Sequence, residues 1–445
     1  MKTPIYDFVK AYAQSAAARF HMPGHKGTSL LGCEALDITE ITGADVLYSP
    51  HGIIAQSEEN ATALFGTGHT FYSTEGSTLA IKAMIALIKR RTPKGKKTTV
   101  LAARNVHKAF IYACALLDVE VRWIYPSEYG HLCSCKLDAD TVREQIDICD
   151  SLPDAVYLTS PDYMGVICDV AGIAKVCHSR GIPLLVDNAH GAYLAFTKTN
   201  MHPIHLGADM CCDSAHKTLP VLTGGAYLHI SKRFDTNVDE VRSMLSLFAS
   251  TSPSYLILQS LDLCNEYLDG TYRTSLDEHI NMLNKLKHRL LGVGFATEPS
   301  EPLKLVFSRS SCGYGGYELA AHLRENMIEP EFFDCDSLVL MSTPQNTEEN
   351  LEALEAVFTS LRPLNRDTKR TPPCFDRLIQ KISLRDAILS PSETIDVKNS
   401  VGRICASPTV SCPPAVPIVM SGEEITERAA ELMLYYGIEK IEVIK

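Results

Sequence analysis

The chain contains 445 residues, with 45% hydrophobic and 21% charged side chains and a formal net charge of -11. This length exceeds a single ordinary core and predicts two or three domains, while the acidic balance argues against a general binder of nucleic acids or anionic membranes. The N-terminal residues lack an apolar signal core and no run of about 18 apolar residues occurs, so we expect a cytoplasmic protein without a membrane span. The 15 cysteines are scattered without paired CxxC motifs, which indicates reduced thiols and no metal site.

Short apolar runs alternate with helical patterns through the first half of the chain. In chain order, the pattern predicts a strand at 98–103, a helix at 107–117, strands at 119–125 and 154–160, a helix at 170–181, and strands at 182–189, 207–214 and 224–230. Continuous apolar strands that alternate with helices are typical of an α/β fold with a mostly parallel sheet covered on both faces. In such a sheet, ligand chemistry takes place at the carboxyl ends of the strands.

The second half of the chain predicts different organisation. Helical patterns and short apolar strands after about residue 260 indicate a smaller α+β domain, and the polar, proline-containing stretch 362–376 indicates a linker. The predicted divisions are an N-terminal arm, a ligand-binding major domain, a small α+β domain and a C-terminal domain, at 1–50, 51–255, 256–362 and 377–445.

A Gly-Ser-Thr turn opens an amphipathic helix after Thr74. Gly76, Ser77 and Thr78 begin this helix, so its first backbone N–H groups and the positive end of its dipole are available to a phosphate. Serine and threonine are also ordinary helix caps, and that simpler interpretation is favoured for this segment alone.

Two further polar residues follow predicted strands. Asp187 ends a buried apolar strand, where a protonated ring nitrogen would be a suitable partner for its carboxylate; a helix cap or a loop salt bridge is equally compatible. His107 falls at another strand end, where its imidazole could stack on a flat ring. A helix cap or a solvated histidine is the alternative for His107.

Lys217 lies in the segment "DSAHKTLP" directly after an apparent strand. A lysine is rarely buried without a partner, but an imine with an aldehyde removes the cost of burying its charge. Ser214 and His216 flank this lysine and could donate hydrogen bonds to a phosphate. A phosphate cradle, an aspartate, a stacking ring and an imine-forming lysine together predict a pyridoxal phosphate (PLP) site, and the combination is far more specific than its parts.

Several segments, in this order, resemble the signatures of the ornithine/lysine/arginine decarboxylase family. They are "RFHMPGHKG" (19–27), "SPDYMGVICD" (160–169), "VDNAHGAY" (186–193), "SAHKTLP" (214–220), "TSPSY" (251–255) and "PPAVPIVMSGEEI" (413–425). The resemblance implies the fold-type I, aspartate-aminotransferase-like PLP architecture. It also implies the short Gram-positive form, without an N-terminal receiver-like domain. The implied activity is α-decarboxylation of a basic amino acid, with arginine preferred over lysine or ornithine, to agmatine or a diamine in polyamine metabolism.

The resemblance also implies roles for individual residues. Lys217 would bind the cofactor covalently and later return a proton, Asp187 would keep the pyridine nitrogen protonated, and His190 would lie near the imine. His107 would stack on the ring, with Ala189 on its opposite face. The residues expected to hold the phosphate are Gly76, Ser77, Thr78, Ser214 and His216. Thr251 and Ser252 would complete the site of a neighbouring subunit, which predicts a homodimer.

Some positions depart from the family pattern. Asn188 replaces the usual glutamate, Tyr193 replaces a histidine, Glu75 stands where asparagine is common, and Ala415 replaces a glycine. Glu75 would add negative charge near the phosphate. These replacements leave open a catalytically impaired PLP-binding paralogue.

Substrate recognition also leaves alternatives. Glu331 and Asp334 are candidates to bind the distal cation of the substrate, although a solvated loop is at least as compatible with them. Another fold-type I enzyme, an aminotransferase or a lyase, is the second enzymatic hypothesis. An aminotransferase would need an arginine for the substrate carboxylate, and Arg309 is available for it.

Overall fold

A computed structural model describes residues 1–126, 131–364, 377–408 and 416–445. Most of the predicted linker 362–376, and Ala415 with the start of the "PPAVP" segment, lie outside the described residues. The chain divides into two compact units. The first contains residues 1–96, 154–158 and 170–275, and the second contains residues 97–153, 159–169 and 276–445.

The described strands and helices follow one another along the chain with these bounds. The strands are β1 (His69–Ser73), β2 (Thr99–Ala103), β3 (Glu120–Ile124), β4 (Ala155–Thr159), β5 (Leu184–Asp187), β6 (Met210–Asp213), β7 (Ala226–Ile230), β8 (Lys304–Ser308), β9 (Phe332–Phe333), β10 (Ser337–Met341), β11 (Ser392–Asp396), β12 (Cys405–Ser407) and β13 (Lys440–Ile444). The α-helices are α1 (Pro4–Ala13), α2 (Ile53–Phe65), α3 (Gly76–Arg91), α4 (Lys108–Leu117), α5 (Ala139–Asp147), α6 (Val170–Ser179), α7 (Pro203–Leu206), α8 (Ala215–Thr218), α9 (Val238–Ser246), α10 (Tyr255–Asp269), α11 (Tyr272–Gly292), α12 (Arg309–Cys312), α13 (Gly316–Glu325), α14 (Glu348–Ser360), α15 (Leu384–Leu389) and α16 (Glu427–Tyr435). Short 3-10 helices span Ala192–Phe196 and Val397–Asn399.

A seven-stranded sheet has the order β1-β7-β6-β5-β4-β2-β3. The pairs β2/β3 and β5/β6 are parallel, whereas β7 pairs antiparallel with both β1 and β6. Every residue of β5, β6 and β7 is buried, as expected for strands that read as continuous apolar runs. Each strand predicted between 98 and 230 is confirmed, with ends shifted by up to three residues.

Strand β1 was missed by the sequence analysis because its sequence, "HTFYS", has no continuous apolar run. Its buried polar groups are instead hydrogen-bonded: Thr70 Oγ1 lies 2.8 Å from His229 Nδ1 of β7, and the Tyr72 backbone N–H donates to Glu58 at 2.8 Å. A buried polar residue is tolerated when it is paired. Pairing of this kind cannot be recognised from the hydrophobic pattern of one segment.

Two smaller sheets belong to the second half of the chain. One has the order β8-β10-β9 and the other has the order β11-β13-β12. The first lies within the predicted α+β region, and its strands β8 and β10 match the apolar runs "LKLVFSR" and "SLVLMST". Within the described ranges, none of the helices is both long and apolar enough to cross a membrane.

A buried ion pair connects the segment after β2 to the C-terminal region within the second unit. Arg104 donates to both carboxylate oxygens of Glu423, at 2.9 and 2.6 Å, and to the carbonyl of Ile418 at 3.0 Å. Glu423 also accepts from the backbone N–H of Met420 at 2.7 Å. Both charged side chains are almost fully buried. The attraction between them therefore has to compensate for the hydration that each has lost.

Replacing Glu423 with glutamine should strongly destabilise the protein, because the Arg104 charge would remain buried without its counter-ion. We expect a loss of about 3–5 kcal/mol in the free energy of unfolding, measured by denaturant titration. Glu393→Gln is the matched control, since the Arg403–Glu393 pair is largely exposed at 2.8 Å and should contribute less than about 1 kcal/mol. Equal effects of the two substitutions would contradict this account.

Candidate active site

Lys217 is half-buried in the short helix α8, directly after the end of strand β6. Its Nζ lies 3.1 Å from Nε2 of His190, which is buried in the loop that follows β5. The neighbouring parallel strands β5 and β6 therefore bring together the lysine and the histidine that the sequence analysis singled out. Since an ammonium only donates hydrogen bonds, Nε2 of His190 is the acceptor whenever Lys217 is protonated.

The Gly-Ser-Thr turn lies at the start of helix α3, as predicted. Ser214 donates from its hydroxyl to Ser77 Oγ at 2.9 Å, which joins this turn to the segment that carries Lys217. Gly76 adopts a φ of 70°, and its N–H donates to the carbonyl of Gly224 at 2.7 Å. Ser77 and Thr78 lie inside α3, and the side chain of its N-cap residue, Glu75, makes no capping hydrogen bond, so capping by serine or threonine does not account for this turn. The first-turn N–H groups retain the arrangement that binds anions.

Glu75 points its carboxylate to another part of the chain. Its Oε1 accepts a hydrogen bond from the backbone N–H of Ser250 at 2.7 Å. Thr251 and Ser252 follow directly and are exposed. The replacement at position 75 thus connects the Gly-Ser-Thr turn to the exposed segment predicted to reach a neighbouring subunit.

His216 has a more restricted geometry than the sequence suggested. Its Nδ1 lies 3.0 Å from the carbonyl of Gly225, and because a carbonyl only accepts, Nδ1 must carry a proton. Burial lowers the pKa of His216 and outweighs the hydrogen bond to Gly225, which raises it. The neighbouring charge of Lys217 lowers this pKa further. Donation from Nε2 to a phosphate therefore requires the phosphate's own charge to favour the imidazolium.

Asp187 ends strand β5 and is 3% exposed. Its carboxylate accepts from the backbone N–H of Ala189 at 3.2 Å, the hydroxyl of Tyr157 at 3.4 Å and the thiol of Cys212 at 3.5 Å. All three partners are neutral. A protonated ring nitrogen would therefore supply the charge partner that a buried carboxylate requires.

His107 is the N-cap of helix α4. Its Nδ1 accepts from the backbone N–H of Ala109 at 3.1 Å. The helix-cap alternative considered for this histidine is thus present in the structure. The cap fixes the orientation of the ring through one nitrogen and does not use its faces.

The two carboxylates proposed for the substrate cation both have local partners within the second unit. Asp334 is buried, lies 2.8 Å from Nε2 of His131, and accepts from the backbone N–H groups of Asp336 and Ser337. Glu331 accepts from the Tyr163 hydroxyl and is exposed. Asp334 is therefore occupied by structural contacts, whereas Glu331 remains the more accessible of the two.

The His131–Asp334 pair should make stability dependent on pH. Burial lowers the pKa of His131, but the Cys133 sulfur and the Asp334 carboxylate outweigh it and raise the pKa to about 10. A raised histidine pKa contributes stability that is complete below the unfolded value of about 6.5 and is lost as the pH rises to the folded value. The difference in unfolding free energy between wild type and His131→Gln should thus shrink from pH 6 to pH 10. A difference between the two proteins that stays constant across this pH range would contradict the assignment.

Comparison with known proteins gives consistent results along the whole chain. The family model described as the Orn/Lys/Arg decarboxylase major domain matches residues 3–302, and the model of the C-terminal domain of the same family matches residues 381–440. An arginine decarboxylase of Halalkalibacterium halodurans is 30% identical, with 96% of this chain and 91% of that protein covered. An arginine decarboxylase of Bacillus subtilis is 29% identical, with coverage of 96% and 92%.

Solved structures confirm the predicted architecture. The lysine decarboxylase LdcF of Francisella novicida superimposes with a TM-score of 0.82 at 17% identity, covering 100% of this chain and 81% of that chain. The constitutive lysine decarboxylase of E. coli gives a TM-score of 0.78 at 18% identity, with coverage of 100% and 82%. These structural similarities establish the α/β, fold-type I architecture. The matches to the family models establish membership: the chain belongs to the Orn/Lys/Arg decarboxylase family of lyases.

Proposed function

We propose that the protein is a PLP-dependent α-decarboxylase of arginine. The observation that carries the proposal is the arrangement around Lys217, whose Nζ lies 3.1 Å from His190 Nε2. The chain segment that carries this lysine is also hydrogen-bonded to the start of α3 through Ser214 and Ser77. A lysine amine, an imidazole and an open helix N-terminus are what a phosphorylated aldehyde needs.

The residues of the first unit fit PLP. The buried carboxylate of Asp187, with its neutral partners, suits the ring nitrogen. The cradle formed by Gly76, Ser77, Thr78 and Ser214, with His216 beside it, suits the phosphate. Ala189, whose backbone N–H is bonded to Asp187, would pack against one face of the ring. The stacking role that the family resemblance implies for His107, a residue of the second unit, stays a prediction.

The side chains would divide the reaction between them. Bound PLP would accept the electron pair left on the α-carbon when carbon dioxide departs. Asp187 would hold the proton on the ring nitrogen, because its negative charge stabilises the protonated form. Lys217 would hold the cofactor covalently through Nζ until the substrate amine displaces it, and the freed, protonated Nζ would then return a proton to the α-carbon. His190 would orient Nζ and exchange protons with it at Nε2.

Arginine is proposed as the substrate because the long matches at about 30% identity include proteins named arginine decarboxylase. The product would be agmatine, and a role in polyamine metabolism is part of the proposal. Glu331 is proposed to bind the guanidinium, since a carboxylate accepts two parallel hydrogen bonds from arginine. Asp334, held by His131, would shape the loop that carries Glu331. A cytoplasmic homodimer, with Thr251 and Ser252 completing the partner's site, belongs to the same proposal.

The alternatives are weaker on specific grounds. An aminotransferase would use Arg309 for the substrate carboxylate, but Arg309 already donates to the carbonyl of Cys335 at 3.0 Å and lies 3.8 Å from the carboxylates of both Glu318 and Asp336. An impaired paralogue would be expected to lose its central residues, and Lys217 and Asp187 are both retained.

The proposal requires a covalent link between Lys217 and the cofactor. Wild-type protein with PLP should absorb near roughly 420 nm, and Lys217→Ala should lack this band because no amine remains to form the imine. Lys175→Ala, a lysine of helix α6 outside the candidate site, is the control and should keep the band. A wild-type protein without the band would reject Lys217 as the covalent anchor.

The proposed substrate can be tested by comparing three basic amino acids. Carbon dioxide should be released from arginine faster than from lysine or ornithine. Glu331→Gln should raise KM for arginine by about tenfold or more, since a hydrogen-bonded charge contact is worth about 1.5–3 kcal/mol. Glu329→Gln is the matched control, because Glu329 pairs with Arg324 on the surface. Release of a keto acid in place of carbon dioxide would favour the aminotransferase alternative.

A further inference from the structure

A buried carboxylate lies directly beside the candidate site. Asp213, the last residue of β6, is fully buried and accepts hydrogen bonds from two histidines, one asparagine and, at 4.0 Å, the thiol of Cys211. Its Oδ2 lies 3.0 Å from Nε2 of His202 and 3.1 Å from Nε2 of His229. Its Oδ1 accepts from Nδ2 of Asn188 at 2.6 Å. The two histidines and the asparagine are equally inaccessible to solvent.

The hydrogen bonds define which groups carry protons. A carboxylate only accepts, so both Nε2 atoms donate to Asp213. Thr70 Oγ1 lies 2.8 Å from Nδ1 of His229 and 2.8 Å from Oγ1 of Thr67, which provides a hydroxyl donor for the unprotonated Nδ1. Burial alone would raise the pKa of Asp213, but His202 and His229 outweigh it and hold the pKa well below its usual range.

This cluster is connected to the catalytic residues through the backbone. Asn188 follows Asp187 and Ser214 follows Asp213 in the sequence. Strands β5 and β6 pair up to Asp187 and Cys212, and the Asn188 N–H donates to the Cys212 carbonyl at 2.9 Å. The side-chain bond between Asn188 and Asp213 therefore continues this pairing by one step, into the loops that carry His190 and Lys217.

We propose that Asp213 and Asn188 are positioning residues for the cofactor site, in which a buried carboxylate–amide bond, supported by His202 and His229, fixes the ends of β5 and β6 relative to each other. This inference rests on the proposed function. It explains why an asparagine is effective at position 188: its amide donates to the carboxylate, whereas the glutamate usual in the family would place a second negative charge there. Neither residue touches the cofactor in this role; both act through Asp187 and Ser214.

Metal binding is the competing role for part of this cluster. His202, Cys211 and Asp213 offer ligand atoms that all lie within 4.8 Å of one another. However, burial keeps the pKa of the Cys211 thiol well above its ordinary value, and metals bind the thiolate. Both histidine Nε2 atoms are also already hydrogen-bonded to the carboxylate. The observed distances therefore favour a hydrogen-bonded network.

The same strand provides a matched control. Asp209, the residue before β6, is buried and lies 2.9 Å from Nε2 of His178. It also accepts from the backbone N–H of Leu184 at 2.8 Å. Asp209 and Asp213 thus share burial and a histidine partner but flank opposite ends of one strand. Only Asp213 is adjacent to the candidate site.

The experiment compares Asp213→Asn, Asn188→Ala and Asp209→Asn with wild type. The measurements are the PLP dissociation constant of apo-protein, the visible circular dichroism of bound PLP, and the denaturation midpoint of the apo-protein. An amide at position 213 cannot accept from both Asn188 and the histidines, so we expect PLP affinity to fall by about tenfold or more and the dichroic band to change. Asp209→Asn should lower the midpoint while leaving PLP affinity and the band unchanged.

Asn188→Ala keeps Asp213 paired with both histidines and decides the matter if Asp213→Asn does not fold. It should weaken PLP binding, whereas Asp209→Asn, which also alters a buried hydrogen-bonded group, should not. Unchanged PLP affinity and dichroism in this variant would overturn the inference while leaving the proposed function intact. About one equivalent of zinc in wild-type protein, absent from Asp213→Asn, would also overturn it. A wild-type protein that binds no PLP would overturn the proposed function, and this inference with it.

Discussion

The parallel pairing of β5 with β6 is the constraint on which the candidate site depends. Both strands are buried along their whole length, so a charged or polar group at their carboxyl ends is costly unless it is hydrogen-bonded within the protein. That requirement accounts for the bonds of Asp187 to neutral donors and for the bond between Lys217 and His190. It also accounts for Asp213, whose charge would be prohibitive at this depth without His202 and His229. The chemistry and the packing thus share the same few residues.

The hydrophobic pattern was sufficient to predict the α/β architecture and most strands of the main sheet, because buried parallel strands are apolar throughout. It failed where burial is achieved by pairing polar groups. Strand β1 escaped detection for this reason. Asp213 lies within "DSAHKTLP", but the segment alone does not indicate its role. Its partners His202 and His229 are outside that segment, and only the fold brings the three side chains together.

The candidate residues were found by residue type and position, and the family resemblance supplied their roles. What the sequence could not provide was the orientation of each side chain. In the structure, His107 caps a helix through Nδ1, and His216 donates its Nδ1 proton to the carbonyl of Gly225. Asp334 is hydrogen-bonded to His131. Tyr193, flagged as a departure from the family pattern, is completely buried in a 3-10 helix, so its ring forms part of the core.

The bond between Glu75 and the Ser250 backbone joins two segments that are far apart in the sequence. A comparison of single positions would score a glutamate beside the Gly-Ser-Thr turn as a radical replacement. The geometry instead makes it one end of a tether, whose other end is a main-chain N–H that any residue except proline could provide. The tether therefore depends on the reach of the side chain at position 75 and on the length of the 247–254 connection.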